Sequence, residues 1–300
     1  MEAKYTIIQS FWTKPIKDKD KLSTLLYIAA LSLTYAHRSK YKVNMHTDSY
    51  GYELLKNFGY DNLYKTLDEI PDTVPTELFA AGKFYAMKAE GIIGKLHIDF
   101  DVFIKKEHLL DSFYEDKSID IFAQQEEAPD LYRVFENKIK YMFTLGYPTT
   151  TRPNWQGSIN VGVIGFNNEE LANKYFNNYF EALKIYTKDK FEEIKQKHPE
   201  SNTERALPEK YKRNNNIFSK KDLEFDFILE QVTLSYYSLG YNVKTLVPMY
   251  NPNDVANTIG YQHLQGTTKW KPNSLTIMKS LLKEYNNELF NILDNLVTNI

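Results

Sequence analysis

A chain of 300 residues is large for one hydrophobic core, yet it falls within the range of a single α/β domain with insertions. Apolar residues make up 42% and charged residues 25%, which excludes a disordered composition, and the net charge of −2 supplies no basic field for nucleic acid or an anionic membrane. With no cysteine, disulfides, thiol catalysis and zinc–thiolate sites are excluded, and a reducing compartment is allowed.

The N-terminus carries no basic n-region or long apolar h-region, and no apolar run reaches membrane-spanning length. The expectation is a soluble, cytoplasmic protein. Peripheral membrane contact stays open and the oligomeric state is unreadable. Tyr5–Gln9 reads as a first strand and Lys21–Ser39 as a helix with Leu22, Leu25, Leu26, Ala29 and Leu33 on one face. Tyr41–His46 is a second strand. Thr47-Asp48-Ser49 then caps a helix that stops at Gly59. A short strand near Leu63–Leu67, a helix over Thr76–Glu90 and one continuous strand over Lys95–Ile104 follow. This alternation predicts α/β architecture with a mainly parallel sheet covered by helices.

Further on, Ile119–Ala123 and Ile159–Phe166 read as strands, Asp130–Phe143 and Glu169–Tyr186 as helices, and Tyr147–Gln156 as a loop. The charged stretch 188–221, with Pro199 and Pro208, reads as a mobile insertion. An apolar helix over Leu223–Tyr237, a strand over Tyr241–Val247 and one long helix over Ser274–Leu296 complete the chain. The expected organisation is a single domain with a C-terminal helical extension, its N-terminal half over residues 1–104 and its C-terminal half over 105–300.

Two stretches carry chemistry. Asp99-Phe100-Asp101 places two carboxylates near the end of an apolar strand, where they are costly to bury without a counter-charge and able to bind a hard divalent cation. Asp18-Lys19-Asp20 has the same spacing, but it lies in a lysine-rich turn and reads as a solvated helix start. Near the other end stands His263-Leu264-Gln265-Gly266-Thr267-Thr268-Lys269-Trp270. A neutral imidazole can be a third metal ligand, a glycine such as Gly266 lets backbone approach a phosphate, and Lys269 can bring it a positive point charge.

The aspartate pair resembles the DxD signature of GT-A glycosyltransferases, a Rossmann-like fold. The C-terminal stretch resembles the HxxGxxKPW motif of glycosyltransferase family 8, whose members include glycogenin and bacterial lipopolysaccharide galactosyltransferases. The resemblance departs at Trp270, which directly follows Lys269, with Pro272 coming later, and at His97 and Phe100 beside the aspartates. It implies that Asp99, Asp101 and His263 hold Mn²⁺ or Mg²⁺ and that Lys269 contacts a diphosphate. Three further matches fall in order. Lys83, with Lys88 as its fallback, occupies the helix where the family carries a donor-reaching basic residue. Asn160-Val161-Gly162 resembles an Asn-x-Gly strand whose asparagine touches the donor sugar. Glu230-Gln231 stands where the family has an Asp-Gln segment near the reactive carbon.

The implied activity is transfer of a hexose-type sugar from a nucleotide-diphosphate sugar, a UDP-sugar, to an acceptor such as a bacterial surface glycan, with retention. The rule for open α/β sheets points the nucleotide base at Gln9-Ser10-Phe11-Trp12 and at Thr47-Asp48. Trp155 reads as an acceptor platform or a core residue. Two alternatives differ in class. A sugar-phosphate nucleotidyltransferase should carry a Gly-rich basic loop after the first strand, whereas Ser10-Phe11-Trp12-Thr13-Lys14-Pro15 has no glycine. A non-catalytic binding protein of the same fold would bind nucleotide without consuming a sugar nucleotide.

Overall fold

A computed structural model of the protein describes residues 5–127, 158–190, 226, 228–247, 258–264, 269–271 and 273–300. The expected Asp130–Phe143 helix, the 147–156 loop with Trp155, most of the 188–221 insertion, and Gly266 lie outside the described residues. The chain opens with β1 (Tyr5–Phe11), α1 (Lys19–Arg38), β2 (Tyr41–Thr47), α2 (Ser49–Leu55) and β3 (Asn62–Tyr64). A single 3₁₀ turn, Thr66–Glu69, leads to α3 (Ala81–Glu90), β4 (Leu96–Ile98), β5 (Val102–Ile104), α4 (Asp111–Glu115) and β6 (Ile121–Glu127). Then come β7 (Ser158–Phe166), α5 (Glu169–Ile185), a π-helical turn at Ile228–Val232, α6 (Thr233–Tyr237), β8 (Val243–Thr245), β9 (Tyr261–His263), α7 (Ser274–Tyr285) and α8 (Asn287–Thr298).

The main sheet has seven strands in the order β3-β2-β1-β4-β7-β6-β8. The β1–β2, β2–β3, β1–β4 and β6–β8 pairs are parallel, and β7 runs antiparallel to both β4 and β6. The expected mainly parallel α/β sheet is therefore present, with one reversed strand at its centre. A core layer lies on each face. On one, Ile7, Phe11, Val43, Met45, Leu96 and Ile98 pack against α1. On the other, Val161 and Phe166 pack with Phe84 of α3 and with Tyr175, Phe176 and Tyr179 of α5.

α1 begins where Asp18 caps it, its carboxylate accepting from the amides of Asp20 (2.9 Å) and Lys21 (3.1 Å), which accounts for the first Asp-x-Asp as a helix start. The apolar periodicity predicts one buried face, but the helix is buried from Leu22 through Ala36 apart from Ser23. The reason is that α7 and α8 cover the side turned away from the sheet, with Met278, Leu282, Leu289 and Leu293 in the same core. These two helices replace the single long one expected. They break at Asn286, whose side chain accepts from the Leu289 amide (3.1 Å) and so starts a new helix.

Two other departures shape the site. Helix α3 starts at Ala81 rather than near Thr76, because 71–80 is a run of turns and the buried Asp226 carboxylate accepts from the Ala80 amide at 2.7 Å. The expected strand over Lys95–Ile104 is two strands. After β4 the chain makes a tight turn, the Val102 amide donating to the Asp99 carbonyl (2.9 Å), and β5 leaves the main sheet to pair antiparallel with β9. The polar pair ends the apolar run, since two carboxylates in a covered strand would be left without donors. α1 meets part of this departing backbone: the Ser32 and Ser39 hydroxyls donate to the carbonyls of Val102 and Ile104, each at 2.7 Å.

Candidate functional site

The turn between β4 and β5 presents Asp99 and Asp101. β9 runs beside β5 with His263 opposite Val102, and the Leu264 amide donates to the Asp101 carbonyl at 3.0 Å. This two-stranded ribbon brings the histidine across 162 residues of sequence to the aspartates. One ligand atom from each of Asp99, Asp101 and His263 lies within 4.8 Å of the others. Two carboxylates and an imidazole are a donor set that fits a divalent cation, with positions left for phosphate or water oxygens.

Cationic side chains flank the cluster. The Lys269 ammonium donates to Asp101 Oδ2 at 2.6 Å, and His263 Nε2 lies 3.2 Å from Asp101 Oδ1. Burial alone would raise the Asp101 pKa, but Lys269 and His263 outweigh it and hold the carboxyl well below the usual range. Lys83 of α3 is buried beneath Asp99. Its ammonium donates to the Val161 carbonyl (2.8 Å) and Glu230 Oε1 (2.5 Å), and it pairs with Asp99 Oδ1 at 3.0 Å, so its three protons meet three protein acceptors. Burial works against this ammonium, yet Asp99 and Glu230 hold its pKa above the ordinary lysine value. Asp99 is raised by burial, with Lys83 pulling the other way. Burial pushes Glu230 up to about 7 against the opposing pull of Lys83.

Glu230 and Gln231 sit in the π-helical turn, both buried, and the turn is anchored where the Tyr175 hydroxyl donates to the Glu230 carbonyl at 2.8 Å. A single π turn inserted in a helix is a feature that recurs at functional sites. Asn160 lies on β7. Its carboxamide oxygen accepts from the Gly162 amide (3.0 Å) and its nitrogen donates to Glu127 (2.9 Å). The hydrogen bonds of Asp48 go to residues outside this cluster. Its carboxylate accepts from the Thr13 amide (2.9 Å) and hydroxyl (2.7 Å), the Lys14 amide (3.2 Å) and the Gly51 amide (2.8 Å), which caps α2 and fastens the loop after β1. Phe11 is wholly buried and meets Phe100 edge-on, and Trp12 is buried in the opposite core. Lys88 lies over the Phe180 ring at 4.8 Å, away from the carboxylates.

Two residues close to the cluster were assigned no role from sequence, Gln124 and His97, the latter noted only as a departure from the family pattern. Gln124 of β6 is buried, and its Oε1 lies 2.8 Å from His263 Nδ1. His97 of β4 is fully buried, with Nε2 3.0 Å from the Ser10 hydroxyl and Nδ1 3.7 Å from Asp99 Oδ1. A lone glutamine or histidine in a strand has no spacing to betray it.

The profile of one protein family, described as a family of unknown function (DUF6734), matches residues 5–296. The chain belongs to that family. No curated protein sequence matches it. Among solved structures it is similar to mouse xyloside xylosyltransferase 1, with 15% identity, 65% of this chain and 75% of that one covered, and a TM-score of 0.35. It is also similar to the WbbM bifunctional glycosyltransferase, at 11% identity and a TM-score of 0.48, where 97% of this chain spans about half, 52%, of that one. A third is the galactosyltransferase LgtC in complex with donor and acceptor sugar analogues, at 12% identity, with coverage of 91% and 94% and a TM-score of 0.38. No helix among the described residues is long and apolar enough to cross a membrane.

Proposed function

We propose that the protein is a cation-dependent glycosyltransferase of GT-A type that moves a hexose from a nucleotide-diphosphate sugar, a UDP-sugar, to an acceptor hydroxyl with retention. One observation carries the reading: Asp99, Asp101 and His263 converge at the end of a central strand, with Lys83 and Lys269 on either side. Asp99, Asp101 and His263 would hold Mn²⁺, with Mg²⁺ as the other cation the set accepts. When bound, the cation supplies positive charge to a departing diphosphate. Lys269 reaches the same diphosphate through its flexible stem, and Gly266 lets the backbone approach. Lys83 fixes Asp99 and Glu230 relative to one another and adds charge from beneath. Asn160 binds the donor sugar, and Glu230 and Gln231 orient it and stabilise positive charge at its reactive carbon.

In this reading residues 1–104 carry the nucleotide, with Asp48 beside its base or ribose, and residues 105–300 face the acceptor, within one cytoplasmic domain. A bacterial surface glycan is the acceptor the family resemblance favours. The test is a thermal-shift screen against nucleoside diphosphates and sugar nucleotides, with and without Mn²⁺. A ligand at 100 times its Kd should add about 2.7 kcal/mol. A Mn²⁺-dependent shift with one nucleotide supports the reading and names the base. Folded protein that shifts with none of them overturns it.

A further inference from the structure

The imidazole of His263 has two nitrogens, and only one faces the aspartates. Nε2 lies 3.2 Å from Asp101, while Nδ1 lies 2.8 Å from the carboxamide oxygen of Gln124. That oxygen can only accept, so the hydrogen between them belongs to Nδ1, which leaves Nε2, the nitrogen beside Asp101, as the one able to offer a lone pair to a cation. We propose that Gln124 is a positioning residue of the cation site: it holds His263 in the Nδ1–H form and aims Nε2 at the space between the aspartates.

The surrounding backbone is built for this contact. β6 and β7 pair regularly at Ala123–Ile164 and again at Gln125–Asn160, so β6 advances two residues while β7 advances four. Val161-Gly162-Val163 therefore stand opposite Gln124 alone. At the middle of that irregular stretch a Cβ on Gly162 would come 2.2 Å from Gln124 Oε1, 2.8 Å from His263 Cε1 and 2.9 Å from His263 Nδ1. Only a hydrogen at that position leaves room for the amide and the imidazole to meet. Gln124 is itself fixed by its backbone, whose carbonyl accepts from the Val247 amide at 2.8 Å. A metal-bound histidine is commonly oriented by an acceptor on its far nitrogen, and loss of that acceptor typically weakens metal binding.

The inference rests on the cation reading of the same site, and Mn²⁺ alone, titrated into the full-length protein and followed by its electron paramagnetic resonance signal, separates the two. Wild type should bind one Mn²⁺. Gln124→Leu, which keeps the bulk and removes the acceptor, should bind about 10- to 100-fold more weakly. Gln124→Glu, which keeps an acceptor oxygen, should stay at or above wild-type affinity. No binding by folded wild type overturns the cation reading itself. Binding by wild type and Gln124→Leu with equal affinity overturns the role of Gln124 and leaves that reading standing, as does equal weakening in both variants. Should Gln124→Leu not fold, as judged by circular dichroism, ¹⁵N NMR of histidine in wild type, at a pH where the ring is neutral, decides: a proton on Nδ1 alone of His263 supports the assignment, and a proton on Nε2 alone overturns it.

Discussion

Asp48 and Asp101 are both buried aspartates beyond the C-terminal end of a strand in the parallel half of the sheet, and their surroundings differ in kind. Asp48 receives three backbone amides and one hydroxyl from residues 13, 14 and 51, groups whose positions the local fold already fixes. Asp101 receives the tips of two side chains, His263 and Lys269, carried in from the far end of the chain. Backbone donors have nowhere else to go, so Asp48 is committed to holding two loops together. The Lys269 ammonium, on a long rotatable stem, can turn from the carboxylate to a ligand, while the His263 ring is held by Gln124. Burial and residue type are alike at the two positions; what differs is the donors, backbone groups at Asp48 and side-chain tips at Asp101.

The sharpest way to break this contrast is Asp101→Asn. Transfer of sugar from the donor should fall about 10²- to 10³-fold, the scale of losing one electrostatic group at a reacting centre. Circular dichroism should be unchanged, and wild-type turnover in the purified variant would remove Asp101 from the site. Lys269→Ala should come next. A hydrogen bond to a charged group is worth roughly 1.5–3 kcal/mol, so affinity for the nucleoside diphosphate should drop about tenfold or more by calorimetry. Asp48→Ala should do the opposite, lowering stability in urea by about 1–2 kcal/mol, the range for a lost helix cap, while Mn²⁺ affinity stays at the wild-type level. A reversed pattern, with intact stability and lost ligand binding, would merge the two aspartates into one site.

The smallest effect, in acid, belongs to Asp226, a third buried carboxyl with yet another set of partners. It accepts from the Ala80 amide at 2.7 Å and the Tyr179 hydroxyl at 3.1 Å, and faces Glu230 and Lys83. Burial, reinforced by Glu230, raises its pKa well above the ordinary 3.8, although Ala80, Tyr179 and Lys83 pull it down. A carboxyl whose folded pKa is raised favours the folded state fully below 3.8, and that contribution is lost as the pH climbs towards the folded value. Asp226→Asn, which mimics the protonated carboxyl, should therefore match wild type below 3.8 and become more stable than wild type as the pH rises above it, flattening the decline. Parallel stability–pH curves for the two proteins would show that Asp226 does not titrate in this way.

Much of the sheet was legible because period-two and period-3.6 patterns follow from which face each residue buries, and strands β1, β2 and β7 fall within two residues of their expected limits. The meeting of Asp99, Asp101 and His263 was legible from the two family motifs they resemble, not from the Asp-x-Asp spacing, which Asp18 and Asp20 share. What escaped depends on contacts distant in sequence. The break between β4 and β5 answers to β9, and the burial of α1 on both sides answers to α7 and α8. Gln124 acquires meaning only once the ring of His263 is beside it. The kink at Asn286 is different: Asn286-Asn287-Glu288 is a local helix-start signal, and the apolar stripe running through it concealed the break.

The ribbon of β5 and β9 also sets an order of events during synthesis. The three innermost parallel strands are complete once residue 98 has emerged, whereas the imidazole arrives at residue 263 and the ammonium at residue 269. Contacts spanning so much chain are slow to close, because the intervening loop must first be ordered. A nascent polypeptide halted before Tyr261 would carry both aspartates and the N-terminal strands yet lack His263. Cation uptake by a series of C-terminally shortened chains would thus time the docking of the last strand.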